Sequence, residues 1–301
     1  MIILSGGTGT PKLLNGLMRV YPEEDISVIV NTAEDLWLSG NLICPDVDSV
    51  LYTLSGLIDD EKWWGIKGDT FRTHVSLKRL SPYETMMLGD IDRATHIARS
   101  ELIRRGKSLT EATAEVASGL GIKSRVLPMS NEHVSTIITT PGEVMHFQRF
   151  WVELKGKPTV TSVSFEEIAR ARPSESVIEA LRSEDVVIIG PSNPITSISP
   201  ILSLKGMVDI LKEKFVVAVS PIIGKHAVSG PAGKLMAATG FEVSSLGVYE
   251  CYKEFLNLLV VDVQDDIEAN GSDIIKTDTM MTDVGKSKDL ASFIIELVEG
   301  C

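Results

Sequence analysis

Ile2-Ile3-Leu4-Ser5-Gly6-Gly7-Thr8-Gly9-Thr10-Pro11-Lys12-Leu13-Leu14 runs from three apolar residues through a glycine-rich turn into an apolar-periodic segment continued by Leu17, Met18 and Val20. That order reads as strand, tight loop and helix. Glycines let backbone N–H groups come close to a ligand, and a helix N-terminus adds partial positive charge, so a phosphate is the natural guest. Pro11 suits the first helical turn, where a missing N–H costs nothing. The loop is not a Walker A motif, because Lys12 is followed by Leu13. Nor is it the dinucleotide fingerprint: Gly7-Thr8-Gly9 supplies G-x-G, but Lys12 stands at the third glycine. Alone, the loop fits a phosphate site and an unliganded βα turn equally well.

Outward from this stretch, Ile26 to Val30 is a second apolar run, ending in Asn31-Thr32-Ala33-Glu34-Asp35. Strand, helix, strand is a βαβ opening and predicts a parallel sheet. Ligands of such sheets collect at the carboxyl ends of the strands, which sets Asn31, Thr32 and Asp35 beside the glycine loop. The alternation resumes at Asp185 to Ile189, whose end loop carries Ser192 and Asn193 between prolines. Phe215 to Val219 follows, with Gly224, Lys225 and Lys234 in its glycine-rich end loop, and Leu258 to Val261 is a last core strand. The expectation is an α/β fold, a doubly wound Rossmann-like sheet built from residues 1–54 and 171–301, with a mixed helical and hairpin subdomain inserted at 55–170.

Acids recur at the same end. Pro45-Asp46-Val47-Asp48 opens a helical pattern, with Asp46 as the expected N-cap and Asp48 in the first turn. Capping accounts for Asp46 alone; two acids after a phosphate loop and an acid-bearing strand end equally suit a metal or substrate role. Asp92, Thr95 and His96 share a helical face by i,i+3 and i,i+4 spacing, which serves acid–base chemistry, ligand binding or a plain solvated face. Ser81-Pro82-Tyr83-Glu84 reads as a capping box before that helix, and Trp63-Trp64-Gly65 as a lid or hairpin. Ser124 to Leu154 turns β-like, and Pro141-Gly142 marks a hairpin between two of its runs. His133 and His146 read as ordinary strand or loop residues.

A net charge of −12 excludes a general nucleic-acid or anionic-membrane surface, while a glycine loop, a few cations and a metal can still hold a nucleotide. Cys44, Cys251 and Cys301 show no paired spacing, which argues against zinc and disulfides and for a reducing cytoplasm. The first residues read as a strand, not a signal peptide, and no apolar run reaches membrane-spanning length.

Assembled, these blocks resemble the 2-phospho-L-lactate transferase family over nearly the full length. The carriers are Gly6-Gly7-Thr8-Gly9 with Lys12-Leu13, Asn31-Thr32-Ala33-Glu34-Asp35, Pro45-Asp46-Val47-Asp48 with Tyr52, and Leu88-Gly89-Asp90 with Asp92 and Ala94-Thr95-His96. Gly190-Pro191-Ser192-Asn193-Pro194 and Ser220-Pro221-Ile222-Ile223-Gly224 with Gly230-Pro231-Ala232 complete the set. The resemblance implies transfer of a phospholactyl group from lactyl-2-diphospho-5'-guanosine to the ribityl hydroxyl of a deazaflavin, a step in making coenzyme F-420, with release of GMP and a need for Mg²⁺. The chemistry of the residues fits this: Gly6 to Thr10 N–H groups and Lys12 are expected to hold the diphosphate, and Asp46 or Asp48 to carry the metal, one of them orienting the attacking hydroxyl. Asp92, Thr95 and His96 would shape the acceptor side, in the inserted subdomain. Ser192, Asn193 and the loop with Gly224, Lys225 and Lys234 would hold guanosine and phosphate. A homodimer is one assembly open to it, and the sequence does not fix the oligomeric state. Ile91 and Arg93 depart from the family's usual basic-then-apolar order, and Lys225 stands where a second glycine is common. The competing reading is a nucleotide-sugar-binding regulator without turnover, of the gluconeogenesis-factor type. An NAD-dependent oxidoreductase is disfavoured by the missing third glycine.

Overall fold

Each apolar run becomes a strand of a single parallel sheet. In the computed structural model, which describes residues 1–267 and 273–299, this sheet has seven strands. They are β1 (Ile2–Ser5), β2 (Ser27–Val30), β3 (Arg125–Pro128), β4 (Val186–Ile189), β5 (Phe215–Val219), β6 (Leu258–Asp262) and β7 (Ile274–Thr277). Their spatial order is β3-β2-β1-β4-β5-β6-β7, and every neighbouring pair is parallel. This is the Rossmann-like doubly wound order, which reverses direction between β1 and β4.

β1 and β2 are buried along their whole length because helices cover both faces of the sheet. Ile2 and Leu4 point into one core with Val187 and Ile189; Ile3 points into the other with Leu13, Leu14 and Leu17. The latter three lie on α1 (Gly9–Leu17), which packs against the closing helix Val284–Glu299. α2 (Pro45–Leu54), α3 (Arg72–Leu80), α4 (Asp92–Arg104) and α5 (Leu109–Gly119) follow before the chain returns to the sheet.

The sequence expectation of one clean insertion at 55–170 differs from this arrangement. β3 comes from inside that stretch and forms the sheet edge beside β2. Its four residues open on an exposed arginine, so periodicity alone gives little sign of it. The antiparallel part of the region is a second, three-stranded sheet that packs into the main core, and α5 packs against β3. Ser135–Thr139 pairs antiparallel with Val144–His146 across Pro141-Gly142, and with Ser162–Glu166 on its other side. Ser81 to Glu84 does not open a helix: α3 ends at Leu80 and α4 begins at Asp92. Glu84 is buried instead, accepting hydrogen bonds from Ser39 (2.6 Å) and Arg93 and lying 3.0 Å from His74 Nδ1. The true capping box is Ser108 with Glu111, at the start of α5. Asp46 is not an N-cap either, since Cys44 occupies that place and Pro45 is the first helical residue.

No helix among the described residues is long and apolar enough to cross a membrane. Cys44 and Cys251 are free thiols, and Cys301 lies outside the described residues.

Candidate active site

The loops after β1 and β4 diverge at the point where strand order reverses, and a crevice opens between them. Ser192 stitches the two together. Its Oγ accepts from the Gly6 N–H at 3.1 Å and bonds the Thr10 hydroxyl at 2.7 Å. Gly9 lies so close to the second loop that a Cβ would strike the carbonyl oxygen of Pro191, and a Cβ on Gly7 would strike Asp46 Oδ1. Neither glycine lies in the left-handed region, so close approach is what demands them.

Two chambers meet in the crevice. One, about 360 Å³, is mostly apolar, walled by Ile43, Trp63, Trp64, Met86, Met87 and Leu88, with Asp48, Asp92 and His96 on its floor. The other, about 370 Å³, lies over the switch point, between Gly7 to Gly9, Pro191 to Asn193, Thr196 and the stretch Ser229 to Ala232. Gly7, Thr8, Glu34, Asp46, Trp64 and Trp151 border both. Part of the second wall is a π-turn, Pro194–Ile198, whose first N–H groups are capped by the Asn193 side chain.

The acids sort into two electrostatic settings. Asp48 is gripped by both terminal nitrogens of Arg99, which is fully buried, and lies 3.1 Å from His96 Nε2. The same nitrogen is 3.1 Å from Asp92 Oδ1, which also accepts the Tyr52 hydroxyl at 2.7 Å. Burial works against ionisation of Asp48, but the Arg99 charge and then His96 outweigh it and hold the carboxyl at about 2. Burial likewise opposes charge on His96, but Asp48 and Asp92 outweigh it and raise the imidazole to about 9. Asp48, Asp92, His96 and Arg99 are thus one balanced ionic cluster, and the ligand atoms of the first three are close enough together to hold a metal ion.

Asp46 stands apart. Its Oδ2 accepts one bond, 2.8 Å from Asn31 Nδ2, and burial raises its carboxyl to about 7. Glu34 accepts from Gln148 at 3.2 Å, and burial followed by the charge of Asp46 pushes it well above the carboxylate range.

The remaining sequence candidates fall into three groups. Gly7, Thr8, Gly9, Ser192 and Asn193 line the polar chamber. Gly6, Thr10, Asn31, Thr32, Asp35 and Thr95 are mostly buried behind the walls: Asn31 orients Asp46, Thr10 ties to Ser192, and Thr95 lies beside Tyr52. The cations lie elsewhere. Lys12 Nζ sits 5.4 Å from the centre of the Trp63 ring, bracing a residue held at φ +60°. Lys234 donates to the carbonyls of Gly156, Lys157 and Pro158. Gly224 and Lys225 form the turn of a small exposed hairpin, where the Gly224 N–H donates to Asp265. Arg93 is spent on Glu84, and Ile91 is 55% exposed, so neither supplies a cation to the apolar chamber.

Sequence reasoning passed over Glu34, Arg99, Lys62, Gln148 and Trp151. Arg99 had a signal, since Asp92, His96 and Arg99 recur at i, i+4 and i+7 on α4. Lys62 borders the polar chamber and stacks 5.6 Å from the Trp64 ring centre, which no local pattern announces.

A family model described as 2-phospho-L-lactate transferase CofD matches residues 1–292. A protein named 2-phospho-L-lactate transferase from Methanococcoides burtonii is 56% identical, over 99% of each chain. Its namesake from Methanocaldococcus jannaschii is 48% identical, over 98% of this chain and 96% of its own. Among solved structures, a UPF0052 family member from Bacillus halodurans superposes with a TM-score of 0.67, at 17% identity over 98% of both chains, a likeness of fold alone. With a family model spanning nearly the whole chain and relatives this similar from end to end, the chain belongs to the 2-phospho-L-lactate transferase family.

Proposed function

We propose that this chain is a transferase that moves a phospholactyl group from lactyl-2-diphospho-5'-guanosine to the ribityl hydroxyl of 7,8-didemethyl-8-hydroxy-5-deazariboflavin. The products are coenzyme F-420-0 and GMP. The observation that carries this reading is the pair of chambers joined through shared walls, one apolar and tryptophan-lined, the other at the Rossmann switch point. A flat ring suits the first. A nucleoside diphosphate suits the second, where N–H groups, the start of α1, Ser192 and Lys62 converge.

The transfer needs alignment and charge neutralisation more than covalent help. The hydroxyl oxygen bonds the phosphorus that carries lactate, the bond from that phosphorus to the GMP oxygen breaks, and the hydroxyl proton passes to Asp92 Oδ2 and from there to solvent. The glycine loop and Ser192 hold the donor in line. Both side-chain contacts of Asp92 fall on Oδ1, which leaves Oδ2 free among the described residues to orient the hydroxyl. Trp64 and Trp151 wall the junction of the two chambers.

The carboxylates around the crevice are hard oxygen donors that fit Mg²⁺. When bound, the ion would neutralise charge on the diphosphate oxygens. Relatives named as transferases favour turnover over the regulator reading.

The test is an assay of deazaflavin with guanosine donors carrying lactyl or related acyl groups, with and without Mg²⁺. Equal amounts of GMP and phospholactyl-deazaflavin are expected. Donor binding without either product would leave the regulator reading instead.

A further inference from the structure

Buried charges in proteins are paired or coordinate metals. The Asp48, Asp92 and His96 cluster meets this rule internally, with Arg99 and a charged imidazole facing its two acids. Glu34 and Asp46 do not. Both are buried, and the groups acting on them are each other, Asp35, Asn31, Gln148 and Thr196, with no cation among them, so burial pushes both carboxyls upward unanswered. A second observation points to a ligand here. The Thr196 hydroxyl is 1% exposed, borders the polar chamber beside both acids, and has no hydrogen-bond partner of normal geometry among the described residues, although it lies near enough to Glu34 to favour its charge. Gly7 keeps the space over Asp46 Oδ1 open, since a Cβ would fill it.

We propose that Glu34 and Asp46, with the Thr196 hydroxyl beside them, form the divalent-cation site of this enzyme, at the boundary of the two chambers. The inference rests on the transferase reading for its purpose: a cation held by these residues would supply positive charge at the boundary of the chamber assigned to the diphosphate. Asp48, Asp92 and His96 border the apolar chamber only. Asp48 Oδ1 and Oδ2, Asp92 Oδ1 and His96 Nε2 are already engaged by Arg99, Tyr52 and one another, which leaves only Asp92 Oδ2 and His96 Nδ1 without a partner among the described residues.

Mn²⁺ is the probe. Its binding to the whole protein is followed by electron paramagnetic resonance, alone and with GDP. Glu34→Gln and Asp46→Asn are each expected to weaken Mn²⁺ binding by about tenfold or more. Asp92→Asn and His96→Gln should leave it within about twofold. Should a variant fail to fold, anomalous scattering from Mn²⁺ in crystals of the unaltered protein gives the position directly. Manganese between Glu34 and Asp46 supports the proposal. Manganese at His96, or none at either place with GDP present, overturns it. Neither readout depends on turnover, so a failed transfer assay and a misplaced ion are separate results.

Discussion

Asp46 and Asp48 are two residues apart on the first turn of α2, and the fold sends them into opposite environments. Residues at i and i+2 do not share a helix face. Asp48 enters a network where Arg99 and His96 answer its charge. Asp46 reaches the boundary of the two chambers, where Asn31 gives it one hydrogen bond and Glu34 adds a like charge. The contrast separates two roles that the sequence left merged. A compensated acid is a fixed part of the wall, and an uncompensated one is a seat for something brought from outside.

The largest expected effect is on the compensated side. Replacing Asp48 by Asn leaves the buried Arg99 without its partner, a change that costs about 3–5 kcal/mol. Urea unfolding should show that loss together with loss of transfer. A variant as stable as the parent would mean that the Arg99 pair is not the anchor it looks to be.

Next is Gly7→Ala. The added methyl would displace Asp46 Oδ1, and a misplacement of that size should slow transfer by about a hundredfold. The stability loss should be smaller than for Asp48→Asn, so a variant that merely unfolds would erase the distinction between the two sides.

The pH dependence is subtler. His96 is raised to about 9 from an ordinary value of 6.5, so its contribution is fully present below about pH 6.5 and is lost as pH rises towards 9. Asp48 is lowered to about 2, so its contribution is present above about pH 4 and lost as pH falls through 2. Unfolding free energy between pH 6.5 and 9 should therefore decline in the parent and decline less steeply in His96→Gln, where the raised carboxyls of Glu34 and Asp46 keep part of the slope. An unchanged slope in the variant would place the titration elsewhere.

The smallest effect belongs to Lys234→Ala. That lysine ties three carbonyls of another loop and borders neither chamber. A stability cost of about 1 kcal/mol with unchanged KM for both substrates is expected. A large rise in the donor KM would return it to the binding machinery.

Much of the frame was legible. Continuous apolar runs such as Val186 to Ile189 and Val216 to Val219 can only be strands covered on both faces, and the glycine loop marks the first crossing. β3 was legible only as part of a β-like stretch beginning at Ser124, and no local pattern says that it joins the main sheet beside β2. In the site, Asp92 and His96 were readable from helical spacing, whereas Glu34 looks like any loop acid until burial sets it beside Asp46. The lysines misled for the opposite reason. A cation next to glycines suggests phosphate, but a long flexible stem reaches whatever is near, here Trp63 for Lys12 and a carbonyl cluster for Lys234.

The most direct test of the two-chamber account is a structure of the protein with GDP and the deazaflavin bound together. The account predicts phosphates over Gly7 to Gly9 and Ser192, the ring against Trp63, Trp64 and Met86, and the ribityl chain passing Asp46 at the boundary. Both ligands competing for one chamber, or the ring lying over Ser229 to Ala232, would contradict it.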